Sequence, residues 1–194
     1  MKKWLLWGML IMSLGVGGCF DKQEDASDRL NVVCTIGMIT DMVQIVGGDR
    51  VDVIGLMGPG IDPHLYRASE GDVKRLNKAH IIFYGGLHLE AKMVEIFKHL
   101  EASKTVVSVI SAIPEERLLA PPEFEGMYDP HVWFDVSLWT YALDHVLNTL
   151  IKMDPTHQSD YEKRALDYKH KLEQLHQFVL EQAGRVPQEK RVLI

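Results

Sequence analysis

A chain of 194 residues, 46% of them apolar and 25% charged, can bury a real core and is long enough for one ordinary domain or part of a two-domain protein. Its formal charge of −6 argues against nucleic acid, whose phosphates demand a basic surface. A mild acidic excess favours cations in general and names none.

The first residues stand apart. Lys2 and Lys3 form a positive start, and Trp4 to Val16 is a short apolar stretch, below the roughly 20 residues a bilayer-spanning helix needs. Val16-Gly17-Gly18 then precedes Cys19. That order resembles a bacterial lipoprotein signal over residues 1–19, in which Cys19 is lipidated and becomes the mature N-terminus. An ordinary secretory signal with an incidental cysteine is the alternative. Residues 20–29 are mostly polar and read as a flexible tether. With Cys19 lipidated, only Cys34 remains, so no internal disulfide is possible, and its apolar surroundings predict a buried, inert thiol.

From Leu30 strand-like and helix-like runs alternate. Asn31 to Ile36 is a predicted strand, and Met38 to Val46 has helical spacing with a Gly47-Gly48 stop. Val51 to Leu56 is the second strand and runs into the loop signal Gly58-Pro59-Gly60. Ser69 and Asp72 predict a capping box for a helix with Val73, Leu76 and Ala79 on one face. Ile81 to Tyr84 is the third strand, Leu87 to Leu100 a helix, and Thr105 to Ile110 the fourth strand. Ser111 to Met127 is a long loop, and Asp135 to Lys152 is helical. This alternation predicts an α/β lobe over residues 30–153, a mainly parallel sheet with flanking helices. In such sheets ligands bind beyond the carboxyl ends of the strands.

Residues 154–187 form the last long element. Ser159 and Glu162 predict its capping box, and Tyr161, Ala165, Tyr168, Leu172, Leu175 and Val179 recur in steps of four and three up to Gly184 and Pro187. A helix of about 24 residues at 1.5 Å each is roughly 36 Å long. Its narrow apolar seam predicts packing along the whole length, within the chain rather than as a coiled coil. Residues 188–194 read as the start of a strand, and a further lobe is expected to follow.

The tripeptide Asp-Pro-His occurs twice, at Asp62-Pro63-His64 and Asp129-Pro130-His131. Proline fixes its own φ and restricts its predecessor, so each histidine leaves a stiffened backbone. An aspartate in a turn can accept nearby backbone N–H groups and hold the loop. The product is an imidazole held on a loop before any metal arrives, which suits a ligand of Zn, Mn or Fe. His64 and His131 are therefore the candidate metal ligands, and further donors must come from elsewhere. Asp62 and Asp129 read as loop-holding. His88 lies near a strand end, His80 reads as a strand-edge residue, and His99, His145, His157, His170 and His176 as solvated. Trp133 and Trp139 read as core, and Glu115, Glu116, Glu123 and Glu125 as a solvated acidic loop.

The stretch from Gly58 to Glu90, GPGIDPHLYRASEGDVKRLNKAHIIFYGGLHLE, closely resembles the metal-binding proteins of bacterial ABC importers for manganese, zinc or iron, the TroA-like group. DPHVWFD at 129–135 matches that group's second block, and CTIGMITDMVQIVGGD from Cys34 is also typical. The resemblance implies the N-terminal lobe of a two-lobe solute-binding protein, followed by a long linking helix, with metal held between the lobes. His64 and His131 would be two ligands, and the others would lie beyond Ile194. It implies a monomeric, lipid-anchored protein outside the cytoplasmic membrane that delivers a divalent transition metal to a membrane permease, without catalysis. Many zinc-dedicated members carry a His-rich loop between the two blocks; Ser111 to Tyr128 has no histidine, which favours manganese over zinc or iron. The alternative, an exported zinc-dependent metallohydrolase, would need an open coordination position and a general base, and the chain has neither His-Glu-x-x-His nor Gly-x-Ser-x-Gly.

Overall fold

Four short runs rich in valine and isoleucine form the sheet: β1 (Leu30–Cys34), β2 (Val51–Gly55), β3 (Ile81–Tyr84) and β4 (Thr105–Ser108). The computed structural model describes residues 29–191. The expected leader with Cys19, the expected tether up to residue 28 and residues 192–194 lie outside the described residues. Every pairing is parallel and the strand order is β2-β1-β3-β4. One row across the sheet runs Val53, Val32, Ile81, Thr105. The central strands β1 and β3 carry the buried runs Val32-Val33-Cys34 and Ile81-Ile82-Phe83, as expected where both faces are covered.

Parallel strands need crossovers, and here each is a helix. They are α1 (Gly37–Gly47), α2 (Glu70–Lys78) and α3 (Val94–Glu101). The chain moves from β1 outward to β2, then back past β1 to β3 and β4, so right-handed crossovers put α1 on one face and α2 and α3 on the other. The switch point lies between β1 and β3 at their carboxyl ends. α4 (Val136–Met153) and α5 (Gln158–Gly184) pack on α1. α1 buries Ile39, Met42, Val43 and Val46 at helical spacing, and α4 buries Trp139, Ala142, Leu143, Val146 and Leu150. No helix of the described residues is long and apolar enough to cross a membrane.

Four local expectations differ from the structure. The strand expected to reach Ile110 ends at Ser108, where a 3-10 turn over Val109–Ala112 begins. The helix expected from Leu87 begins only at Val94, after a 3-10 turn at Ala91–Met93. Leu87 and His88 instead have φ of 47° and 64°. The cause is Glu90, whose carboxylate turns inward to accept the Thr35 hydroxyl at 2.6 Å and the Gly85 and Gly86 N–H groups at 2.8 and 3.2 Å. The Ser159–Glu162 capping box does not form. A 3-10 turn at Pro155–His157 runs directly into α5, whose first residue is Gln158 and whose N-cap His157 makes no side-chain cap bond. The apolar seam of α5 is buried only in its proximal part: Tyr161, Ala165 and Leu172 are covered, whereas Leu175 and Val179 are 46% and 38% exposed.

The Ser69–Asp72 capping box does form, and it reaches further than expected. Asp72 accepts the Ser69 N–H and hydroxyl, the Tyr66 hydroxyl at 2.8 Å and the Arg75 guanidinium at 2.8 Å. Partial burial pushes the Asp72 carboxyl up, but these donors outweigh it and leave it below the ordinary range.

Candidate metal centre

Both Asp-Pro-His copies lie on connections that leave carboxyl ends of the sheet: His64 between β2 and α2, His131 between β4 and α4. In the first copy, Asp62 Oδ1 accepts the His64 N–H at 2.9 Å and the Asp62 carbonyl accepts the Leu65 N–H at 3.3 Å, closing a turn. Two residues on, Tyr66 is tied to Asp72, so the loop is anchored where it enters α2. Burial and that hydrogen bond push the Tyr66 hydroxyl up to about 12.

The second copy is built more tightly. Asp129 Oδ1 accepts the His131 N–H at 2.9 Å and also lies 2.6 Å from the ring Nδ1. The Asp129 N–H donates to the Leu119 carbonyl at 2.8 Å, which fastens the long connection beneath the histidine. Partial burial pushes the Asp129 carboxyl up. The hydrogen bonds from His131 and the nearby histidine rings outweigh it, so Asp129 stays below its ordinary value. The Trp133 and His131 rings meet in a T-shaped contact, with centroids 5.3 Å apart and planes at 73°. It is half-buried beside the site, whereas Trp139 is core as expected.

The two loops bring His64 and His131, 67 residues apart in sequence, face to face. Their Nε2 atoms are 3.1 Å apart and the ring centroids 5.2 Å apart. Two nitrogens on one ion at about 2.0–2.1 Å, subtending roughly 90° to 110°, are about 2.9–3.4 Å apart. The observed spacing lies in that window. Among the described residues no group of three or more His, Cys, Asp or Glu side chains gathers that could hold a metal. His88 is exposed in its left-handed turn and His80 is at a strand end, where its Nδ1 accepts the Asn31 N–H. His157, expected to be solvated, instead binds Asp154 at the root of α5. Glu115 in the acidic loop accepts the Tyr128 hydroxyl.

A cleft of about 550 Å³ between α4 and α5 touches neither His64 nor His131. A cleft of about 380 Å³ beside the first loop has Pro63 and Trp133 in its lining. An ion needs converging donors rather than a cavity, so the imidazole pair defines the candidate site.

Residues 32–194 match the family model described as zinc-uptake complex component A, periplasmic. The chain is 37% identical to the manganese-binding lipoprotein MntA of Bacillus subtilis over 100% of this chain and 64% of that protein. It is 43% identical to the zinc-binding protein TroA of Treponema pallidum over 94% of this chain and 59% of that protein. The solved periplasmic zinc-binding protein TroA from Treponema pallidum superposes with a TM-score of 0.82 at 44% identity, covering 85% of this chain and 59% of that one. Fe(III)-bound YtgA from Chlamydia trachomatis superposes with a TM-score of 0.76 at 32% identity, covering 84% and 57%. The chain thus spans about three-fifths of the length of the relatives it matches.

Proposed function

Because this chain belongs to the periplasmic zinc-uptake component A family of metal-binding transport proteins, we propose that it captures a divalent transition metal through His64 and His131 and passes it to the membrane permease of an ABC importer. The observation that carries this reading is the 3.1 Å approach of two Nε2 atoms delivered by proline-stiffened loops. The ion is cargo, and its remaining coordination positions are filled by donors outside the described residues. Lipidation of Cys19 holds the protein at the outer side of the cytoplasmic membrane, as a monomer. The hydrolase alternative finds no support: the relatives are named as binding proteins.

Manganese is the favoured cargo, on the strength of the histidine-free segment from Ser111 to Tyr128. The relatives' names divide between manganese and zinc, and a solved neighbour holds Fe(III), so they do not choose. Zinc binds most mixed nitrogen and oxygen sites more tightly than manganese, so selection must come from geometry and supply.

The test is elemental analysis of the exported protein after His64→Ala, His131→Ala and His170→Ala. The first two variants are expected to lose most of their bound metal, and the exposed His170 variant none. Equal metal content in all three would overturn the site. Zinc in excess over manganese from a culture replete in both would overturn the choice of cargo and leave the capture role standing.

A further inference from the structure

The two Asp-Pro-His copies are alike in sequence and unlike in structure. Asp62 makes only the backbone half of the arrangement, accepting the His64 N–H at 2.9 Å. Asp129 makes the same backbone bond at 2.9 Å and adds the contact with the ring of its own histidine at 2.6 Å. A carboxylate oxygen 2.6 Å from a ring nitrogen accepts a hydrogen from it, so the His131 Nδ1 carries that hydrogen. In the neutral ring Nε2 then holds a bare lone pair. Nε2 of His64 lies 3.1 Å from it, within hydrogen-bond range. With both rings neutral, two lone pairs would repel at that distance, and the hydrogen between them belongs to the His64 Nε2.

We propose that Asp129 is a positioning residue that fixes the tautomer of His131 and, through it, that of His64, so that an arriving metal replaces a hydrogen bridging the two Nε2 atoms. This rests on the reading of the pair as metal ligands. His131 offers its lone pair without any rearrangement and is the first donor the ion meets. His64 becomes a donor only when its hydrogen leaves Nε2 and one is regained at Nδ1 from solvent, which leaves the number of protons on the pair unchanged. Asp129 is itself fixed by its N–H bond to Leu119, and Trp133 meets the His131 ring in a T-shaped contact, so that ring is held on more than one side. A carboxylate behind a ligating imidazole orients the ring and raises its basicity. Asp62, lacking the ring contact, is the built-in control for loop-holding alone.

The experiment uses the whole chain with zinc(II) alone as a diamagnetic probe. Nitrogen-15 spectra of the imidazoles report the tautomers, and calorimetric titration the affinity. Metal-free protein is expected to show His131 as the Nδ1–H form and His64 as the Nε2–H form, and zinc is expected to convert only His64. Asp129→Ala should mix the His131 tautomers and weaken zinc binding by about 10- to 100-fold. Asp129→Asn, whose amide oxygen can still accept both hydrogens, should recover part of the loss. Asp62→Ala should weaken zinc binding less and leave the His131 tautomer unchanged. Equal losses in Asp129→Ala and Asp62→Ala, or an unmoved His131 tautomer in Asp129→Ala, would overturn the proposal. If His131→Ala abolishes zinc binding while that happens, the site reading survives and only the role of Asp129 falls. If His131→Ala binds zinc like the unaltered chain, the site reading itself falls.

Discussion

A carboxylate with 2% of its surface exposed must find donors inside the protein, and Glu90 finds them on two strands at once. It holds the Thr35 hydroxyl at the end of β1 and the Gly85 and Gly86 N–H groups at the end of β3, across the crevice where the strand order reverses. Leaving a buried donor without its acceptor costs about 1–3 kcal/mol, and Glu90 serves three donors. Glu90→Ala should therefore cost about 3 kcal/mol in chemical denaturation. Glu95→Ala, which loses a solvent-exposed pair with Lys98, should cost under about 1 kcal/mol. Similar midpoints for the two variants would refute this account of Glu90. The sequence could not reveal it, because Thr35 lies 55 residues away and Glu90 sits inside an otherwise helical pattern. His64 and His131 stood out as candidates because one tripeptide occurs twice, and their rings do meet. The ring contact of Asp129 was not legible, since the identical tripeptide at Asp62 lacks it.

Helix ends divide in the same way between local and distant causes. The box at Ser69 depends on residues three apart and could be read directly, whereas Ser159 failed because Pro155 starts the turn before it. Ser69→Ala should cost about 1 kcal/mol, since it removes a cap and loosens the anchor of the His64 loop. Ser159→Ala, exposed and uncapping, should stay within about 0.5 kcal/mol. A larger loss at Ser159 in thermal denaturation would restore the capping box. The root of α5 is held instead by Asp154, which accepts the Thr156 hydroxyl at 2.7 Å and the Tyr161 hydroxyl at 2.7 Å and pairs with His157 at 2.9 Å. Partial burial pushes the Asp154 carboxyl up, but hydrogen bonds from His157, Thr156 and Tyr161 outweigh it and hold it at about 2. An unfolded aspartate titrates near 3.9, so the folded state binds its proton later. The stabilisation is fully present above about pH 4 and drains away as pH falls towards 2. Across that interval the unaltered chain should lose stability more steeply than Asp154→Asn. Parallel acid-denaturation curves would show that the cluster carries no such linkage.

At the scale of the whole molecule, alternating strand and helix patterns were enough to read a parallel α/β lobe, because periodicity is local. Strand order and the depth of helix burial are tertiary, and α5 shows the difference. Its 27 residues, about 40 Å at 1.5 Å each, fall into two regimes. In the proximal part Tyr161, Ala165 and Leu172 are buried, and Arg164 donates to the Val46 and Gly47 carbonyls at 2.7 and 3.1 Å, closing the end of α1. The Gly48 Cα, at φ +59°, leaves room for that guanidinium, which a side chain there would meet. In the distal part Leu175, Phe178, Val179 and Leu180 are all exposed. A helix without tertiary contacts is marginal in water, so the two parts should open with very different free energies. In the 194-residue chain, amide exchange at 161–172 should approach the global unfolding limit, and exchange at 176–184 should run on the order of 100-fold faster or more. Leu172→Ala should cost about 3 kcal/mol, whereas Leu175→Ala should cost under about 1. Uniform protection along α5, with equal costs at both leucines, would mean that the distal half is covered in solution, and the division of the helix into a rooted and a free part would be wrong.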